Sequence, residues 1–193
     1  MARTRGFDED EVLDRAMALF WRKGFEATSI EELVGVSRIN RASMYAAFGD
    51  KRRLFLAVLD HYLTRVNAER LAILSQGESA TAAIAGFFGA IIAAATGPER
   101  HLGCLITNTL TEVAPTDPEI AAKLQSSLQR IETAFAETIR RGQDMGEIAP
   151  GKDARALARF FVGTAQGLRV LARSGTAEPT LRDIVATALT TLG

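Results

Sequence analysis

Cysteine, histidine and proline are scarce in this sequence: one, two and five of 193 residues. The single cysteine, Cys104, excludes an internal disulfide framework and suits a reducing compartment. His101 and Cys104 offer two soft metal ligands, with no further His or Cys nearby to complete a site. No metal and no cofactor are therefore expected, and an enzyme would have little catalytic equipment. Net charge is absent too, because 23 Lys and Arg balance 23 Asp and Glu, so only the distribution of charge can speak of partners. Long apolar runs are missing. The longest mostly apolar stretch, Ile84 to Ala95, is too short and too rich in Ala and Gly to span a bilayer. The opening "MARTRGFDEDE" has no apolar core for a secretory signal. These absences point to a soluble, cytoplasmic protein with no membrane partner.

What is abundant is apolar: 47% of residues, enough for a sizeable core. Alanine and leucine dominate, and no stretch alternates apolar and polar residues long enough for a sheet, so the fold class is all-α. The five prolines fall in or beside apparent loops. The spacing predicts a first helix from Phe7 or Asp8 to Gly24, with acids in its first turn and Arg22 and Lys23 in its last. A second, capped by Thr28 or Ser29 with Glu31 or Glu32 three residues on, runs to about Val36. A third covers Arg41 to Phe48, and a long amphipathic one Lys51 to about Ser75. Further helices are expected near 79–95, 102–113, 117–144, 153–173 and 180–192. About nine helices thus divide into an N-terminal helix-turn-helix domain, residues 1–50, and a C-terminal bundle, residues 51–193.

The stretch "GVSRINRASMYAAFGDKRR" admits two registers. If "GVS" is the turn, Asn40 falls in a helix interior, where its side chain competes with the backbone. If the turn lies at Arg38 and Ile39, Asn40 becomes an N-cap and "RASMYAAF" a clean two-turn helix. Ile39, Met44 and Phe48 then pack inward on Ile30, Leu33 and Val34. Arg41, Ala42, Ser43, Tyr45, Ala46 and Ala47 are left towards the outside. The second register is preferred. It places Arg38 in the turn.

In this register "ATSIEEL", "INRASMYAAFGDKRRLF" and the preceding "ALFWRKGFEATS" resemble the DNA-binding domain of TetR/AcrR-type transcriptional regulators over residues 7–60 or so. The resemblance implies a homodimer on a double-stranded DNA operator, a small-molecule effector in the C-terminal bundle, and a phosphate contact from Lys51. The third helix would lie in the major groove, with Arg41 bidentate to guanine and Ser43 beside it. Ala42 and Ala46 would present methyl groups, and Tyr45 would bond a phosphate or stand as a half-buried structural tyrosine. Thr28, Ser29, Arg38 and Asn40 complete the expected DNA surface. Residues 38–53 carry five positive charges against Asp50, a local +4, and Arg3 and Arg5 could form an arm.

For the effector, Phe87, Phe88, Ile91, Phe160 and Phe161 are candidate walls, with Cys104, Asn108, Glu112 and Gln166 as further candidate contacts. The phenylalanines suit an ordinary core equally well. Ala158, Phe161, Ala165 and Leu168, with Ile184, Val185, Ala188 and Leu189, form apolar stripes suited to a dimer interface or an intrachain core. Cys104 can be a buried thiol or, near a helix N-terminus and His101, an ionised one open to modification. The competing classes are an activator or a helical interaction module of the same fold, and an enzyme.

Overall fold

The computed structural model describes residues 7–97 and 100–193, without the side chains of Val66 and Asn67. Asp8 opens helix α1, Glu9–Lys23, by accepting the N–H groups of Asp10 and Glu11. Helix α2, Ile30–Ser37, starts on a capping box: Ser29 accepts the N–H of Glu32, whose carboxylate returns to the Ser29 backbone. Asn40 caps α3, Arg41–Phe48, and Asp50 caps α4, Lys51–Tyr62. The helix expected over 51–75 is one rod with a wide turn in it. A π turn at Leu63–Asn67 leads directly into α5, Ala68–Ser75.

Helix α6 spans Ala80–Thr96, and a 3-10 turn covers Arg100–Leu102. The helix expected from residue 102 begins later, because Gly103 takes φ +67 and Cys104 is extended. That helix is α7, Leu105–Glu112. Helix α8 is Pro118–Asp144 and α9 is Ala154–Arg173. Helix α10, Glu178–Leu189, starts two residues earlier than the spacing suggested, since Pro179 sits in the first turn, where no N–H is needed. A 3-10 turn, Thr190–Leu192, follows. No strand occurs among the described residues.

Two apolar cores organise these rods. The first joins α1 to α4 with α7 and the start of α8, and takes Leu54, Phe55, Val58, Leu59 and Tyr62 from α4. The N-terminal trio is therefore closed by helices that follow residue 50. The second core lies between α5, α6, α8, α9 and α10. Its centre is a ring cluster: Phe87, Phe88, Phe135 and Phe161 meet at centroid distances of 4.9 to 6.0 Å. At Gly142 a Cβ would stand 2.8 Å from the Ala80 Cβ and 2.7 Å from the Ile148 Cδ1, so α6 crosses α8 where glycine leaves room.

This packing corrects the stripes read as a dimer interface. Ala158, Phe161, Ala165, Leu168, Val185 and Ala188 are buried within the chain, and Leu189 packs partly against the same core. The reason is that α9 has two apolar sectors, and the more continuous one faces α6 and α8. Phe160, Gly163, Gly167, Val170 and Leu171 occupy the other sector and are exposed, with the half-buried Ile184 of α10 alongside Phe160.

Candidate DNA interface and the cavity behind it

The turn between α2 and α3 adopts the second register. Arg38 has φ +57 and ψ +27, and Asn40 Oδ1 accepts the Ser43 N–H at 2.8 Å. Met44 and Phe48 are buried with Leu33, and Ile39 is half-buried. Arg41, Ala42, Tyr45 and Ala46 stand exposed, while Ser43 and Ala47 are half-buried. The Arg41 guanidinium lies 5.6 Å from the Tyr45 ring centroid, so the two polar readers share one patch.

Electrostatics here are less positive than the local sequence count. Arg41 pairs with Glu31 at 2.9 Å, and Arg52 grips Asp117 at 2.6 and 2.9 Å and Glu119 at 2.7 Å. Arg52 is thus a strap from α4 to the start of α8, and its pull, outweighing desolvation, holds the Asp117 carboxyl at about 2. The acids that offset the +4 lie outside residues 38–53, where only folding brings them close. Lys51 rests 4.4 Å from the Phe25 ring centroid, with its Nζ 3.4 Å from the Glu26 carbonyl.

Thr28 leaves the expected surface: it is buried, and its hydroxyl donates to the Gly24 carbonyl at 2.6 Å. It pins the α1–α2 connection and has no face to offer a duplex. Ser29 is half-buried, its hydroxyl engaged in the capping box. Arg3 and Arg5 lie outside the described residues.

A small cavity of about 30 Å³ opens between α5, α6, α9 and the segment 100–104 that leads into α7. Of the residues expected to line it, Ile91 and Cys104 do. Phe87, Phe88 and Phe161 instead fill the second core, because their rings are satisfied by one another and by Phe135. Phe160 is exposed on the far side of α9. Asn108 donates to the Leu102 carbonyl at 2.8 Å and accepts from Arg173 at 2.6 Å. Gln166 accepts from the Thr107 hydroxyl at 2.7 Å. Glu112 faces the other way: its Oε1 accepts the Glu26 N–H at 3.0 Å and lies against Gly24, tying α7 to the turn ahead of α2.

Sequence reading missed Arg70, Arg100 and Arg169, which line the cavity with Cys104. Three separate segments supply them, so no local motif announces the group. The legible signal was Arg169 itself, a charge on the apolar face of α9 in "GLRVLA". Cys104 is buried, with the Tyr62 hydroxyl 3.6 Å from its Sγ. Burial pushes the thiol up, but the Arg169 charge and hydrogen bonds from Thr107 and Tyr62 outweigh it and bring it to about 7. The cation that acts on Cys104 is thus Arg169 of α9 rather than His101, which is exposed.

Residues 12–58 match the family model for bacterial regulatory proteins of the tetR family, and residues 80–189 that for a tetracyclin repressor-like C-terminal domain. The chain belongs to the TetR family. It is a DNA-binding transcriptional regulator and not an enzyme. Among TetR family relatives, it is 36% identical to the HTH-type transcriptional repressor ComR of Escherichia coli strain K12, over 97% of this chain and 90% of that one. It is 34% identical to the regulator YezE of Bacillus subtilis strain 168 over the full length of both. A cysteine mutant of the TetR family regulator CifR, solved with 26-bp double-strand operator DNA, superposes with a TM-score of 0.88. That match has 32% identity and covers 99% of this chain and all of CifR. The reduced form of E. coli NemR shares the fold alone, at a TM-score of 0.85, 15% identity and 93% coverage of both chains. No single helix among the described residues is long and apolar enough to cross a membrane.

Proposed function

We propose that this TetR family member is a homodimeric cytoplasmic repressor that binds a pseudo-palindromic operator and is released by a small molecule in the cavity or by modification of Cys104. The observation that carries the reading is the outer face of α3, where Arg41 and Tyr45 stand exposed on a helix opened by Asn40. That helix enters the major groove, and Arg41 exchanges Glu31 for guanine O6 and N7. Ala42 and Ala46 meet thymine methyls, while Arg38, Tyr45 and Lys51 take phosphates. With few polar readers, DNA deformability supplies part of the specificity. The relatives support the sign and the ligand: ComR is named a repressor, and CifR was solved on operator DNA.

The dimer forms through the exposed sector of α9 and α10, where Phe160, Val170 and Leu171 are apolar and Gly163 and Gly167 allow close approach. Two heads then meet half-sites about 34–36 Å apart, or a multiple of that. Helix α7 carries the signal. Cys104 at its start lines the cavity, and Glu112 at its end grips the turn before α2. Selection of bound DNA from a random pool tests the reading. A two-fold consensus, lost in Arg41→Ala, is expected; a consensus without symmetry, or one that Arg41→Ala leaves intact, refutes it.

A further inference from the structure

The cavity beside Cys104 has an unusual charge. Arg70, Arg100 and Arg169 line it, and among the described residues no Asp or Glu does. Arg169 is only 6% exposed, and its Nη1 has no hydrogen-bond partner among the described residues. A buried guanidinium with an unsatisfied N–H is strongly unfavourable unless a counter-charge meets it. The other lining residues are apolar or small, namely Ile91, Ala94, Ala95, Gly103 and Ala172, so none of the described residues brings a carboxylate to it. Among the described residues Arg70 is engaged at long range, its Nη1 3.4 Å from the Tyr62 hydroxyl.

We propose that this cavity binds a small anion, a carboxylate or inorganic oxyanion of few heavy atoms, held by Arg169 from within and by Arg70 and Arg100 at its sides. The inference rests on the effector reading above and names the chemical class of the ligand. Size follows from the volume: about 30 Å³ holds two or three water positions at about 10–15 Å³ each, enough for formate or nitrate and too little for a drug-sized molecule. Planar guanidinium groups suit such planar anions. The anion and the Cys104 thiolate compete for the same arginine charge, so binding drives the thiol towards its protonated form. Tyr62 joins the cavity to the end of α4, whose first residue is Lys51 at the DNA surface.

The sole cysteine makes the test direct, because thiolate absorbance at 240 nm reports Cys104 alone. The full-length protein at pH 7.5 is titrated with sodium formate and with sodium acetate, each against a matched protein-free blank. Ionic strength is held constant with a sulfonate too large for the cavity. A saturating fall in thiolate of about three- to tenfold is expected. Arg169→Gln starts with little thiolate, because it removes the cation that lowers the thiol, so the deciding variants are Arg70→Gln and Arg100→Ala. Each should raise the half-saturating concentration about tenfold.

Absorbance indifferent to both anions, or a fall equal in wild type and variants, overturns the site. Anisotropy of labelled selected DNA separates this from the effector reading. Anion binding without DNA release keeps the site and removes it from regulation. DNA release by another compound, with no thiolate response to anions, keeps regulation and removes the anion site.

Discussion

Replacing Arg38 by glycine separates stability from DNA binding at a single position. The residue caps α2 at φ +57 and ψ +27, a left-handed conformation that costs an L side chain roughly 1 kcal/mol. Glycine removes that cost but brings about 0.4–1 kcal/mol of extra backbone freedom to the unfolded chain, so the net gain is about 0–0.6 kcal/mol. For a chain of this length each kcal/mol moves the melting midpoint by about 2–4 °C, which predicts a small rise, at most about 2 °C. The exposed Arg38 side chain is also assigned a phosphate. Removing it should lower the slope of log K against log salt by about 0.9 per protomer, or about 1.8 per dimer. Calorimetry and fluorescence anisotropy between low and moderate salt measure the two quantities. Arg38→Ala is the control: it keeps the strain and loses the charge, so the slope should fall with no rise in midpoint. A lower midpoint for Arg38→Gly would mean that the arginine side chain holds the turn together. An unchanged slope would place Arg38 away from the duplex.

Phe160→Glu puts a charge on the exposed sector of α9 and should shift sedimentation from dimer to monomer and weaken operator binding; an unchanged dimer would move the interface elsewhere. Glu32 is held at about 2 by the Lys23 ammonium and the Ser29 capping bonds, and Asp117 at about 2 by Arg52. Both are depressed carboxyls, so their stabilisation is present above the ordinary carboxylate range near pH 4 and is lost as pH falls towards 2. Chemical denaturation across pH 2–5 should show this slope reduced in Asp117→Asn; an identical slope would refute the strap. Gly142→Ala drives a methyl into Ala80 and Ile148 and should destabilise by about 1–3 kcal/mol in urea unfolding. A neutral result would mean that α6 and α8 part easily.

Local chemistry made the N-terminal half readable. Asp8, Ser29, Asn40 and Asp50 each cap a helix through groups within three residues, so the sequence alone determined where α1 to α4 begin and which face of α3 is outward. With Asn40 as the cap, the turn falls at Arg38, whose backbone is left-handed. Periodicity determined that the rest is helical, but not which apolar sector of α9 is buried. Phe160 and Phe161 are adjacent and chemically alike, yet only Phe161 meets Phe88 and Phe135. Tertiary structure alone decided that choice, along with the partners of charged groups distant in the chain. Asp117 and Glu119 neutralise Arg52 across the fold, Glu112 ties α7 to the α1–α2 turn, and Arg169 reaches Cys104 from another helix. Caps and turns are set by neighbours in sequence, whereas burial and charge pairing depend on which helices come to lie side by side.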